Sequence, residues 1–183
     1  MTSFPTLHTE RLELRQFRHE DADQVQRLAG AKEIAQFTTL PHPYKDGMAA
    51  AWIKQQHADF AAMRIVNFAI VRRADDELIG SIGLTLSEAH QRGELGFWIG
   101  GPYWNNGYCT EAAHKVIEYG FKALNLHRIF ALHYGRNAGS GKVLQKLGMQ
   151  YEGTQSEHFL RFGVWEDSKL YGLLKSTYEA VEQ

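Results

Sequence analysis

Between Thr9 and Phe17 the chain runs TERLELRQF, with Leu12 and Leu14 alternating against Glu13 and Arg15. That period of two predicts a half-buried strand. The following HEDADQVQRLAG opens with acidic residues, spaces Val25 and Leu28 three apart and stops at Gly30, which predicts a short helix. LPHPYKDG, with prolines on both sides of His42 and Gly47 closing it, is loop. From Met48 to about Met63, MAAAWIKQQHADFAAM sets Trp52, Ile53, Gln56 and Phe60 at helical spacing, one helix or a pair of short ones. Three strand-like runs follow, IVNFAIVRR, ELIGSIGLTL and RGELGFWIG, joined by the hairpin-like connectors ADD and SEAHQ, so the centre is expected to be an antiparallel meander. A helix is predicted from about Thr110 to Leu124. RIFALHY then forms a buried strand, GSGKVLQKLG a short helix stopped by Gly148, and MQYEGTQSEHFLRFGVWEDSKLYGLL a closing pair of strands. The order of elements predicts an α/β (α+β) fold, a mixed sheet with helices on its faces.

Composition narrows the class. A chain of 183 residues, 44% of them hydrophobic, can bury one full core, and residues 1–183 are read as a single domain. A net charge of −1 provides no general basic field for nucleic acid or an anionic membrane. Any anionic ligand must be held by a local device. Cys109 is the single cysteine, which excludes an internal disulfide and a multi-cysteine zinc cluster and fits a reducing compartment. The first twenty residues carry charges throughout instead of the apolar centre of a secretory signal, and no later run approaches ~18 apolar residues. The expected location is the cytoplasm. The nine histidines form no H-E-x-x-H or i,i+4 pair, so no metal site is expected.

Two stretches carry candidate chemistry. In YWNNGYCTEA a strand ends in a polar glycine turn that feeds a helix N-terminus, where unpaired amides and the positive end of the helix dipole converge. Gly107 can take a left-handed conformation, and Asn105 and Asn106 tolerate unusual dihedrals. The same residues also suit a plain strand-to-helix turn. In HYGRNAGSGKVLQKLGM, AGSGKV looks like the phosphate loop of nucleoside triphosphatases, but Arg136 and Val143 stand where that loop needs glycine and a magnesium-binding Ser or Thr. A nucleotide-hydrolysing enzyme is therefore disfavoured.

From ELGFWIGGPYWNNGYCTEA through LHRIFALHYGRNAGSGKVLQKLGMQYEG to GVWEDSKLYGLL, the chain resembles the GNAT-type N-acetyltransferases, and within them the RimJ/RimL-like branch. The resemblance extends back to TERLELRQF. It implies the GNAT fold, a mostly antiparallel sheet of about six or seven strands flanked by helices. Acetyl-CoA is implied as cosubstrate, without a metal. Trp104 and Asn105 would open the pyrophosphate loop, whose amides at Asn106, Gly107, Tyr108, Cys109 and Thr110 would bind the phosphates. A bulge in the preceding strand would free the backbones of Trp98 and Ile99 to hold the pantetheine arm and thioester. Asn137 would contact the pantetheine, or cap the helix that follows it.

Acetyl transfer to an amine needs a deprotonated nucleophile, an oxyanion donor and a proton for the leaving thiolate. The tyrosine that many relatives use for the last task is Leu144 here. The resemblance offers Ser140 instead, and the amide near Ile99 as oxyanion donor. Glu94 is the first candidate base, followed by Glu157 and His158 on the closing strands. Phe37, Tyr44, Trp52 and Phe159 are candidate walls of the acceptor pocket. The branch implies a primary-amine acceptor, a protein N-terminal α-amine or a small amine, attacked directly in a ternary complex. A homodimer is compatible with it. Neither nucleic-acid nor membrane binding is expected. The missing tyrosine and Cys109, where the family carries Gly or Ala, leave open an alternative, a non-catalytic acyl-CoA-binding or sensing module.

Overall fold

The computed structural model describes residues 3–181. Strand β1 (Leu7–His8) leads into β2 (Leu12–Arg15), followed by α1 (Ala22–Ala29), α2 (Lys32–Ala35) and α3 (Met48–Ala61). The meander is β3 (Ile65–Arg72), β4 (Glu77–Ser87) and β5 (Arg92–Ile99). After it come α4 (Tyr108–Lys122), β6 (Arg128–Tyr134), α5 (Ala138–Lys146), β7 (Gln150–Arg161), β8 (Val164–Leu174) and α6 (Lys175–Val181). The strands lie in the order β1-β2-β3-β4-β5-β6-β8-β7, one sheet of eight rather than the six or seven expected. The extra strand, β1, has two residues, too few to show a period. No described helix is long and apolar enough to cross a membrane.

Neighbouring residues on β3 show how the layers are arranged. Asn67 donates from Nδ2 to Gln56 Oε1 of α3 at 3.0 Å, and Phe68 meets Tyr119 of α4 edge-on with ring centroids 5.9 Å apart. Consecutive strand residues face opposite ways, so α3 and α4 cover opposite faces of the sheet. Leu12, Leu14, Phe68, Ile70, Ile82 and Leu84 of the strands and Val116, Ile117 and Phe121 of α4 supply fully buried side chains. Where α1 begins, Arg15 grips Asp21 through both carboxylate oxygens at 2.7 and 2.8 Å, and the Arg18 amide donates to the same side chain. This buried pair ties α1 to β2. Trp52, expected at the acceptor pocket, packs edge-on against Phe17 at 4.9 Å, and Tyr44 packs against the core with its Cβ facing Gly30. Both are structural residues, because the amphipathic face of α3 and the loop before it turn toward the sheet.

His133 of β6 is buried beneath α5. Its Nδ1 lies 2.8 Å from the Tyr134 carbonyl oxygen, while its Nε2 has no partner among the described residues. A Cβ on Gly141 would meet the ring at 3.2 Å, so the glycine lets α5 seat on the imidazole. Burial lowers the His133 pKa from its ordinary 6.5, with Lys169 acting in the same direction and the backbone bond opposing. A depressed folded pKa means that the unfolded chain binds the proton first, so stability falls as pH drops below about 6.5. We expect urea unfolding to show stability declining as pH drops through that window, and the decline to be flattened in His133→Leu.

Candidate active site

Strand β5 pairs with β4 along its whole length, from Gly80↔Ile99 to Ser87↔Arg92, but with parallel β6 only over Arg92–Glu94. Beyond that point β6 follows β8 away, and a gap opens beside Leu95–Ile99. The β4–β5 register has no shift, so the opening arises from the divergence of β6 and not from the expected bulge. The Gly100 amide donates to the Ile79 oxygen at 2.9 Å. Ladder alternation therefore turns the N–H and C=O of Trp98 toward Ser81 and those of Phe97 and Ile99 toward the gap. The Ile99 oxygen accepts from the Trp104 indole at 2.6 Å on that open side. Of the expected Trp98–Ile99 pair, Ile99 presents its backbone to the gap and Trp98 only its side chain; Phe97 takes the second backbone position.

The turn after β5 is built from the polar residues the sequence singled out. Asn105 (φ 62°) and Gly107 (φ 80°) are both left-handed, and Asn106 Nδ2 donates to the carbonyls of Tyr103 and Trp104. Gly107 is the N-cap of α4, which places the helix start at Tyr108, two residues before the expected Thr110. The first bond of α4 runs from the Glu111 amide to the Gly107 carbonyl at 3.0 Å, and no side chain caps the helix. The amides of Tyr108, Cys109 and Thr110 thus stand at the positive end of the helix dipole. Arg11, which the sequence did not single out, braces the turn: Nη1 donates to the Asn106 carbonyl at 3.0 Å, and the guanidinium lies 4.6 Å over the Tyr108 ring. Glu111 holds this brace through Thr9 Oγ1 at 2.6 Å and Arg11 Nε at 2.7 Å. Burial opposes the Glu111 charge, but these bonds outweigh it and keep the carboxyl below its ordinary range.

The gap and the turn open into one cavity of about 580 Å³. Trp98, Ile99, Trp104, Asn105, Gly107, Tyr108, Cys109 and Thr110 line one side, and Asn137 and Ser140 the other. Asn106 is absent from the lining, because its side chain staples the turn from behind. Asn137 Oδ1 accepts from the Ser140 amide at 3.0 Å and so caps α5, while Nδ2 donates to Ser140 Oγ at 2.9 Å. The serine hydroxyl accepts there, which leaves its own proton to be given elsewhere. Lys142 and Lys146, one turn apart on α5, also line the cavity; their i,i+4 spacing was the signal that could have found them. Leu144 is buried in the core. Burial pushes the Cys109 thiol up to about 12, so it is protonated at neutral pH and unsuited to carry an acyl group.

The candidate bases separate. Glu94 is half-buried on β5, and burial raises its carboxyl pKa while Arg92 opposes the shift. It shares a strand face with Gly96 and Trp98, and a Cβ on Gly96 would meet nothing within 4 Å. No side chain at Gly96 separates Glu94 from Trp98, although Glu94 itself lies outside the lining of the cavity. Glu157 and His158 are exposed where Glu94 is half-buried, and they too lie outside the lining of the cavity. The register moves from Gln155↔Ser168 to Phe159↔Glu166, so three residues of β7 bulge opposite one of β8, with Glu157 at φ 48° and its amide on Asp167 Oδ1. The bulge breaks the alternation that would have sent one of the two inward. Phe37 does line the cavity, and Phe159 packs on Tyr134 at 5.3 Å. Glu166, missed in the sequence, is buried and binds Arg136 Nε at 2.6 Å. Among the described residues, no three His, Cys, Asp or Glu side chains cluster as a metal site.

A sheet split between two parallel strands, with the gap running into an uncapped helix N-terminus, is the framework of a transferase that holds an acyl-CoA as an added strand. The chain belongs to the GNAT acetyltransferases, as the acetyltransferase (GNAT) domain model matches residues 11–150. It is 34% identical to the N-acetyltransferase YoaA of Bacillus subtilis over 94% of this chain and 98% of that protein. It is 24% identical to the spermidine N(1)-acetyltransferase of Escherichia coli over 90% of this chain and 85% of the relative. Among solved structures, RimL, the ribosomal L7/L12 α-N-protein acetyltransferase in complex with coenzyme A, superposes with a TM-score of 0.88 at 12% identity, covering 94% of this chain and 99% of that one. The chain is accordingly an N-acetyltransferase with acetyl-CoA as acetyl donor, a role the split sheet and the uncapped α4 amides fit.

Proposed function

We propose that the protein, acting as a single domain in the cytoplasm, moves the acetyl group of acetyl-CoA to the primary amine of a protein N-terminus or a small molecule by direct attack in a ternary complex. Relatives with both kinds of acceptor are named above, a ribosomal-protein enzyme and a spermidine enzyme. The observation that carries the reading is the continuity of the gap beside Phe97 and Ile99 with the free amides of α4 in one cavity, with Glu94 on the strand face shared by Gly96 and Trp98. In this reading the amides of Tyr108, Cys109 and Thr110 hold the pyrophosphate, with Lys142 and Lys146 adding charge. Ile99 N–H polarises the thioester carbonyl, Glu94 takes the amine proton through a water over Gly96, and Ser140 gives its proton to the departing thiolate. Asn137 holds Ser140 for that task. Family membership and the filled set of roles favour catalysis over a sensing module.

Calorimetric titration of acetyl-CoA, run beside thiol-release assays on short peptides and polyamines, tests the reading. Micromolar binding with thiol release on an amine is the expected result. Binding with no release across the panel would leave the sensor as the better account.

A further inference from the structure

A second cavity, of about 670 Å³, lies between α2 and the β7–β8 hairpin and is lined by Lys32, His42, Arg136, Arg161, Phe162 and Glu166, among others. Arg136 lines this cavity and the acetyl-CoA cavity alike, so one guanidinium forms the partition between them. Its position is fixed: Nε donates to Glu166 Oε1 at 2.6 Å, Nη2 to the Gln36 carbonyl at 2.8 Å, and the group stacks 5.2 Å from the Phe37 ring on the donor side.

The charges in this cavity do not balance. Lys32, Arg136 and Arg161 face a single carboxylate, Glu166, which Arg136 already occupies. Arg161 has no carboxylate partner among the described residues. Its Nε donates to the Ala35 carbonyl at 2.8 Å and its Nη2 to that of Leu40, while the guanidinium lies 4.4 Å over the Phe162 ring. These bonds to neutral oxygens hold the group rigid and leave its charge uncompensated. Lys32 likewise has no carboxylate partner among the described residues. A prepaid, immobile guanidinium beside a free ammonium is the arrangement that selects a carboxylate or phosphate.

We infer that this cavity is the acceptor's anion subsite: resting on the transfer reading above, the amine that enters the cleft carries a carboxylate or phosphate, which Lys32 and Arg161 hold across the Arg136 partition. The same surplus of positive charge repels a polyamine, so the acceptor class is an acidic one, such as a peptide with acidic residues behind its free N-terminus.

The test uses the full chain with saturating acetyl-CoA and four probes: Ala-Glu-Glu-Gly-amide, Ala-phosphoserine-Gly-Gly-amide, Ala-Gln-Gln-Gly-amide and spermidine. An acidic probe is expected to exceed the glutamine peptide in kcat/KM by about tenfold or more, and the first two arms decide between carboxylate and phosphate. Lys32→Glu, an exposed change outside the acetyl-CoA cavity, is expected to remove that preference while the KM for acetyl-CoA holds, and raised salt to weaken it in the wild type. Equal rates on acidic and neutral peptides, spermidine as the best acceptor, or an unchanged preference in Lys32→Glu would overturn the subsite. If acetyl-CoA binds and no probe is acetylated, the transfer reading fails by itself. The subsite is then judged by calorimetry of the two acidic peptides into CoA-loaded protein, where binding weakened about tenfold by Lys32→Glu supports it and absence of binding sinks it.

Discussion

Gly107→Val is expected to raise the dissociation constant for acetyl-CoA more than about 100-fold while the protein still folds. Gly107 caps α4 at φ 80°, a region that costs a residue with a Cβ about 1–2 kcal/mol and a β-branched one more. Space is not the obstacle, since the added Cβ would lie 3.5 Å from Arg11 Nη2, an ordinary contact. The chain can relieve the strain only by rotating the turn, which re-aims the amides of Tyr108, Cys109 and Thr110. Each charge-assisted bond to phosphate that is lost removes about 1.5–3 kcal/mol, so two suffice for the expected effect. Gly47→Val is the control: its φ of 82° imposes the same backbone penalty at the N-cap of α3, where a Cβ would meet nothing within 4 Å and no residue lines the acetyl-CoA cavity. Calorimetry should find comparable destabilisation in the two variants and lost acetyl-CoA binding only in the first. Tight binding by Gly107→Val would mean that the pyrophosphate lies elsewhere.

Glu94→Gln is expected to lower kcat by about 10²–10⁴, the usual contribution of a general base, with acetyl-CoA affinity unchanged. The pH profile provides the sharper readout. A base works ionised, and burial disfavours the ionised form, so the acid limb of the wild-type kcat/KM profile should sit above the ordinary carboxylate value of 4.5. Glutamine has no proton to lose there, so the limb should vanish from the residual activity. Stability should shift in the opposite sense. A carboxyl whose folded pKa is raised loses its stabilising contribution as pH rises through that value, and the glutamine variant escapes the loss. Full activity in Glu94→Gln, or an unmoved acid limb, would transfer the base role to another group.

Much of this site could be read from residue order because its pieces are local. WNNGYC specifies a left-handed turn and a helix start through the dihedral tolerance of Asn105 and Gly107, and that chemistry needs no distant partner. Asn137 caps α5 three residues ahead of Ser140, again within one turn of chain. The meander was visible for the same reason, since its alternating runs are separated by short connectors. The short α2 and the terminal α6 escaped notice because four and seven residues carry little periodicity.

What the linear order could not contain is where one element stands against another. Whether Phe97 or Trp98 offers its backbone to the gap depends on the β4 register, set by packing over the whole sheet. Glu157 faces outward because β7 carries three residues against one of β8, a mismatch that exists only once the strands are paired. Arg11 meets Asn106, and Arg136 meets Glu166, across 95 and 30 positions of chain. The sequence by itself determined the class of protein, the left-handed turn into α4 and the loss of the usual tyrosine at Leu144, because local dihedral preference and motif spacing are properties of neighbouring residues. The tertiary structure alone decided which backbone lines the cleft, that Glu157 turns outward in a bulge and where uncompensated positive charge gathers, because strand register and ion pairing are settled by contacts between segments far apart in the chain.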